Sequence, residues 1–146
     1  MASVMQEKLP QLKWVGAIHE GVPCKRKDLA ACVKFYQEVL GLKLLPRPAK
    51  LDEFAGYSPS GAWLGDEENK VQFHLIAKDD EWCPGIDAPV SPTGRHTAWM
   101  VKDLNAFRAR LRELGVAYRQ LDGVVASDQV FVQDPAGFTW EFQEPR

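Results

Sequence analysis

Three histidines and one glutamate hold the chemistry this chain could do. His19, His74, His96 and Glu141 each stand in or beside a short β-like run, and they account for every histidine among the 146 residues. Imidazole and carboxylate together make a ligand set for a divalent Fe, Ni, Co, Mn or Zn ion. Glu141 and His74 could also move a proton to or from a bound molecule.

Strand alternation sharpens the grouping. In the run around FTWEF, Glu141 shares its face with Thr139, whereas Phe138, Trp140 and Phe142 point the other way. In VQFHLI, His74 goes with Gln72 and Ile76, opposite Phe73 and Leu75. His96 shares a face with Ala98 and Met100, opposite Trp99 and Val101. The bulky faces are expected to pack on helices and the donor faces to line a common concavity, with Ala17, Gln72, Ile76, Ala98, Met100, Thr139 and Gln143 beside the donors.

The elements that must position these residues form an internal repeat. Asp103 precedes a helical pattern of Phe107, Leu111 and Leu114 that Gly115 is placed to end. Asp28 does the same for Cys32, Tyr36 and Leu40, with Gly41 as the stop. A β-like run precedes each helix, the first containing His19 and the second His96. After the first helix come runs at 42–46, 60–65 and 70–77; after the second come runs at 116–121, 123–127, 128–134 and 137–142. Each half reads as β-α-β-β-β. The fold class expected is α+β, with a loose arm over 1–13 and one domain over 14–146. That domain divides into module one (14–78), a linker rich in Pro, Gly and Asp (79–94), and module two (95–146).

The stretches KDLAACVKFYQEVLGLKLL, RHTAWMVKDLNAFRARLRELGV and DPAGFTWEF resemble the vicinal oxygen chelate superfamily of glyoxalases, bleomycin-resistance proteins and extradiol dioxygenases. The resemblance covers the chain from about Trp14 to Gln143. It implies two βαβββ modules around a cleft and one divalent metal per site, held by His19, His74, His96 and Glu141. It also implies pairing as a homodimer, which would cover the open sheet edges.

Two departures from the family pattern bear on the ligands. His96 precedes Asp103 by seven residues but His19 precedes Asp28 by nine, so a strict overlay would put Gly21 in the ligand position. Two extra residues in the Cys24–Lys27 loop would restore register. At His74 the family usually offers a carboxylate or an amide. Three imidazoles and one carboxylate would leave a divalent site with net positive charge.

Composition excludes other classes. The net charge is −2, from 18 basic and 20 acidic residues, so no global field favours nucleic acid or an anionic membrane. The Lys25–Arg26–Lys27 cluster reads as a solvated loop. Three cysteines without CxxC spacing, and no apolar run of membrane-span length, predict a reduced, cytoplasmic protein. Cys24 and Cys32 are expected in the core, and Cys83 has no placed base. Trp99 and Trp140 are expected in the core too, while Trp14, Trp63 and Trp82 could rim a pocket, and Arg47 and Tyr57 are open positions for substrate contact.

Three functions follow for a small-molecule ligand. One is a metal-dependent, glyoxalase-like lyase or isomerase that chelates vicinal oxygens and transfers a proton. The second is an Fe(II) extradiol-type dioxygenase with His19, His96 and Glu141 as a facial triad. The third is a metal-free binding or resistance protein. Four ligands leave two positions on an octahedral ion, enough for a chelating substrate but not for a catechol and O₂ together, which favours the first.

Overall fold

The computed structural model describes residues 12, 13, 15–53, 60–68, 70–79, 82–87, 89–125 and 127–145. Trp14, Tyr57 and most of the expected arm lie outside this set. Two ten-residue helices, α1 (Leu29–Glu38) and α2 (Leu104–Glu113), occupy the two predicted helical patterns. After each helix the chain turns away through a glycine with positive φ, Gly41 at 71° and Gly115 at 66°, a conformation that a Cβ disfavours.

The two helix starts differ. Asp103 is extended, and its carboxylate accepts from the N–H of Ala106 at 2.8 Å as a cap should. Asp28 makes no such bond, because a 3-10 turn over Arg26–Asp28 runs directly into α1 and leaves Asp28 already helical. The same turn corrects the reading of the basic cluster as a solvated loop: Arg26 Nε pairs with Asp79 at 2.6 Å and its guanidinium also reaches Ser60.

Among the described residues, eight strands complete the two halves. β1 (Glu20–Lys25), β2 (Lys43–Leu45), β3 (Gly61–Gly65) and β4 (Gln72–Lys78) form one sheet in the order β1-β4-β3-β2. β5 (His96–Met100), β6 (Tyr118–Leu121), β7 (Gln129–Gln133) and β8 (Thr139–Gln143) form the other in the order β5-β8-β7-β6. β1 runs parallel to β4 and β5 to β8, and the remaining pairs are antiparallel. The chain is therefore α+β, with two βαβββ modules. Pro23 is tolerated in β1 because that strand is a sheet edge.

Two expectations about strands fail. The run at 123–127 is a strand at none of its described residues, which form a bend where Gly123 N–H is held by Asp128 at 3.2 Å. His19 lies one residue before β1 and not within it.

The helix-facing sides of both sheets meet in one core. Phe73 and Leu75 of β4 share a continuous buried cluster with Leu104, Leu111, Trp140 and Phe142 of the second half. Phe73 lies 5.2 Å from Trp99 and 5.1 Å from Trp140 between ring centroids. Each large side chain buried there contributes about 1.5–3 kcal/mol. Cys24 and Cys32 belong to this core and are fully buried, as expected, and Cys83 packs against it.

Candidate metal centre

The four donors arrive as two pairs. In module two, β5 lies beside β8 with Ala98 opposite Glu141, so His96, two residues earlier, leans along the same face toward the carboxylate. His96 Nε2 stands 2.8 Å from Glu141 Oε2. In module one, Gly21 lies opposite His74, so His19 holds the position relative to His74 that His96 holds relative to Glu141. The connectors 26–28 and 101–103 are both three residues long; the two extra residues of the first half lengthen β1, which pairs with β4 as far as Lys25 opposite Lys78 while β5 stops at Met100 opposite Gln143.

Hydrogen bonding fixes the His96–Glu141 pair. His96 Nδ1 lies 2.7 Å from the carbonyl of Gly94, which can only accept, so Nδ1 carries a hydrogen. Nε2 then faces a carboxylate oxygen, and the contact requires a proton or a metal cation between the two. With metal–ligand distances near 2.1 Å, two ligands at a right angle lie about 3 Å apart. The observed 2.8 Å therefore suits adjacent ligands of one ion. A ligating imidazole whose other nitrogen donates to a backbone carbonyl is the usual arrangement.

Glu141 is 4% exposed, and its second oxygen is occupied. Oε1 accepts from Gln129 Nε2 at 2.5 Å and from the amide of Gln143. Phe131 supports His96 edge-on, with ring centroids 5.5 Å apart. A cavity of about 490 Å³ opens beside His96, between Glu20–Pro23 of β1, the start of β8 and the linker residues Trp82, Pro84 and Asp87.

The module-one pair is built differently. His74 is sandwiched between Trp63, parallel within 2° at 3.9 Å, and His19, within 17° at 3.9 Å. His74 Nε2 also lies 3.3 Å from Gln72 Oε1. Burial and then the neighbouring His19 push the His74 pKa down to about 4, so the ring is neutral and keeps a lone pair. A metal lies close to the plane of each imidazole it binds, and two nearly parallel planes have no nearby point in common. His19 and His74 cannot both ligate one ion while stacked. A smaller cavity of about 190 Å³ lies beside the stack, lined by Arg47, Ser60 and Ile76 among others.

The expected common concavity is thus not formed within the chain. Among the described residues no group of three or more His, Cys, Asp or Glu side chains is placed to hold a metal ion. The reason is the shared core: both sheets turn their bulky faces inward toward each other, and His19 and His74 line one cavity while His96 lines another. Of the expected lining, Ile76 joins His74, Thr139 joins His96, and Gln72 and Gln143 bond to donors. Ala17, Ala98 and Met100 are exposed, Met100 at 74%. Arg47 lines the smaller cavity but is paired with Asp52.

Trp63, expected as a possible pocket rim, lines the smaller cavity, but sequence reasoning missed Gln129 as a neighbour of the donors. Alternation through DQVFVQD would have found Gln129 once the β7–β8 hairpin register was known, since Phe131 lies opposite Glu141. It also missed Asp134, a fully buried carboxylate that accepts from the N–H groups of Ala136 and Phe138 at 3.0 and 2.9 Å and from Tyr36 Oη at 2.7 Å.

The fold recurs among solved structures. A glyoxalase family protein from Bacillus anthracis is 20% identical, with TM-score 0.73, covering 93% of this chain and 100% of its own. Lactoylglutathione lyase from Agrobacterium tumefaciens is 18% identical, with TM-score 0.60, covering 90% and 96%. A variant of the fosfomycin resistance protein FosX from Listeria monocytogenes, complexed with Mn(II) and 1S,2S-dihydroxypropylphosphonic acid, is 14% identical, with TM-score 0.66, covering 92% and 95%. At these identities the likeness shows the fold alone. No curated protein matches the sequence. Residues 25–142, most of both modules, match the Glyoxalase/Bleomycin resistance protein/Dioxygenase superfamily, and the chain belongs to that superfamily.

Proposed function

We propose that the chain is a metal-dependent, glyoxalase-like lyase or isomerase acting on a small substrate with vicinal oxygens. The supporting observation is the His96–Glu141 pair at 2.8 Å, with the far side of each group already hydrogen-bonded. His96 and Glu141 would hold the ion, completed by His19 and, once it leaves the stack, His74. A divalent ion bound there supplies Lewis acidity, polarising a carbonyl and stabilising charge on the neighbouring oxygen. The chain's own residues orient and shield: Phe131 backs His96, and the buried setting of Glu141 strengthens its interactions. Glu141 or the neutral His74 would take the substrate proton.

The protein would work as a homodimer in which His19 and His74 of one copy meet His96 and Glu141 of the other. Separate donor faces around a shared core are what such an arrangement needs. A metal-free binding protein is the second reading, favoured by the Trp63–His74–His19 stack, which covers both faces of a donor ring.

Elemental analysis of protein purified without chelators separates the two readings. About one divalent ion per chain, lost in Glu141→Ala, supports the first, while metal-free protein that stays folded supports the second. Protein loaded anaerobically with Fe(II) and given catechols in air should consume no oxygen. Rapid, Fe-dependent uptake would move the assignment to an extradiol-type dioxygenase.

A further inference from the structure

Gln129 and Gln143 both aim their amide nitrogens at the same oxygen of Glu141, Oε1, leaving Oε2 to face His96. The Gln143 amide is held at its other end as well. Ser127 Oγ donates to Gln143 Oε1 at 2.9 Å, which turns the Nε2 end of Gln143 toward the carboxylate. Gln129 is the first residue of β7 and Gln143 the last of β8, so the two sit at one end of the hairpin on the face Glu141 shares.

A carboxylate in open solvent can rotate and can bind an ion through one oxygen or both. Here Glu141 is almost fully buried, and Oε1 accepts two N–H donors at once. Swinging Oε1 toward an ion would break both bonds and leave two half-buried amide donors without their acceptor. Rotation of the carboxylate is therefore opposed from two directions, by groups anchored on different strands.

We propose that Gln129 and Gln143 are positioning residues that fix Glu141 as a one-oxygen ligand through Oε2. The proposal rests on the metal-centre reading above. It adds that the Ser127–Gln143–Glu141 chain, with Gln129 beside it, sets the coordination mode as well as the affinity. Without the clamp, Glu141 would be free to turn Oε1 as well as Oε2 toward an ion.

The test uses the full chain and Co(II), whose visible absorption reports coordination number. Wild type, Gln129→Leu, Gln143→Leu, the double variant and Glu141→Ala are compared by competition with a chromophoric chelator, by Co(II) spectra and by thermal melting. The expected result is a 10–100-fold loss of Co(II) affinity in the Gln variants, the range for losing outer hydrogen bonds to a ligand. The absorption band should change shape while Tm stays close to wild type. In metal-free protein, NMR should show slowly exchanging side-chain amide hydrogens on Gln129 and Gln143 that exchange fast in Glu141→Ala. Equal affinity and an unchanged Co(II) spectrum in the double variant would overturn the proposal. Fast-exchanging amides in wild type would do the same. Wild type that binds no Co(II) would overturn the metal-centre reading itself, a different outcome, and the positioning role would fall with it.

Discussion

Tyr36 of α1 donates to Asp134, 98 residues away, through a buried hydrogen bond of 2.7 Å that ties the helix of module one to the β7–β8 turn of module two. Burial pushes the Asp134 carboxyl up, while Tyr36 and the backbone N–H groups of the turn pull it back. Tyr36→Phe should cost about 1–3 kcal/mol, since it leaves a buried acceptor short of a donor. Asp134→Ala, which strands Tyr36 and two backbone groups together, should cost about 3–4 kcal/mol. Asp134→Asn keeps an acceptor for the turn and should cost less than either. Urea denaturation of the three variants gives the order, and a larger loss for Asp134→Asn than for Asp134→Ala would refute this account.

Gly137 and Gly115 separate steric crowding from backbone conformation. Both have positive φ, 94° and 66°. A Cβ on Gly115 meets nothing within 4 Å, whereas on Gly137 it would lie 2.2 Å from the Gly85 carbonyl oxygen. Gly115→Ala should cost about 1 kcal/mol. Gly137→Ala should cost at least about 2 kcal/mol and free the linker from the turn, seen as faster proteolysis near residue 85. Equal costs would mean that the linker does not press on Gly137.

His74 makes stability pH-dependent in a defined window. Its folded pKa, about 4, lies below the ordinary 6.5, so between these values the unfolded chain takes up a proton that the folded chain refuses. The contribution is fully present above pH 6.5 and is lost as pH falls toward 4. In chelator-treated protein, His74→Phe keeps a stacking ring but no titrating group, and should flatten the decline over this range. Parallel denaturation curves from pH 7 to 4.5 for the two proteins would rule His74 out as the cause.

If the site is shared between copies, two defective chains can repair each other. Mixing His19→Ala with Glu141→Ala under conditions that exchange subunits produces mixed dimers with one intact site and one doubly damaged site. About a quarter of all sites should then recover full metal affinity. Light scattering should show a dimer. If all ligands came from one chain, mixing would restore nothing.

The repeat was legible because two signals agree in both halves: apolar residues at helical spacing before Gly41 and Gly115, and alternation around His74 and Glu141. Those signals are local. The failures come from relations that sequence spacing does not carry. Asp28 loses its cap because the preceding turn is already helical, and the described residues of the 123–127 run bend instead of pairing as a strand. The separation of His19 and His74 from His96 and Glu141 is a fact about how two bulky faces share one core. Each strand's alternation says which side chains travel together, but not whether two sheets turn the same sides toward each other.

The stack of Trp63 on His74 gives the protein a signal of its own. An indole held flat against an imidazole at 3.9 Å emits differently from one facing solvent or a different ring. If His74 swings off the indole to share an ion with His19, the indole loses its stacking partner. Trp63 would then act as an internal optical gauge of whether His74 is at rest or engaged, readable in ordinary emission spectra without any label.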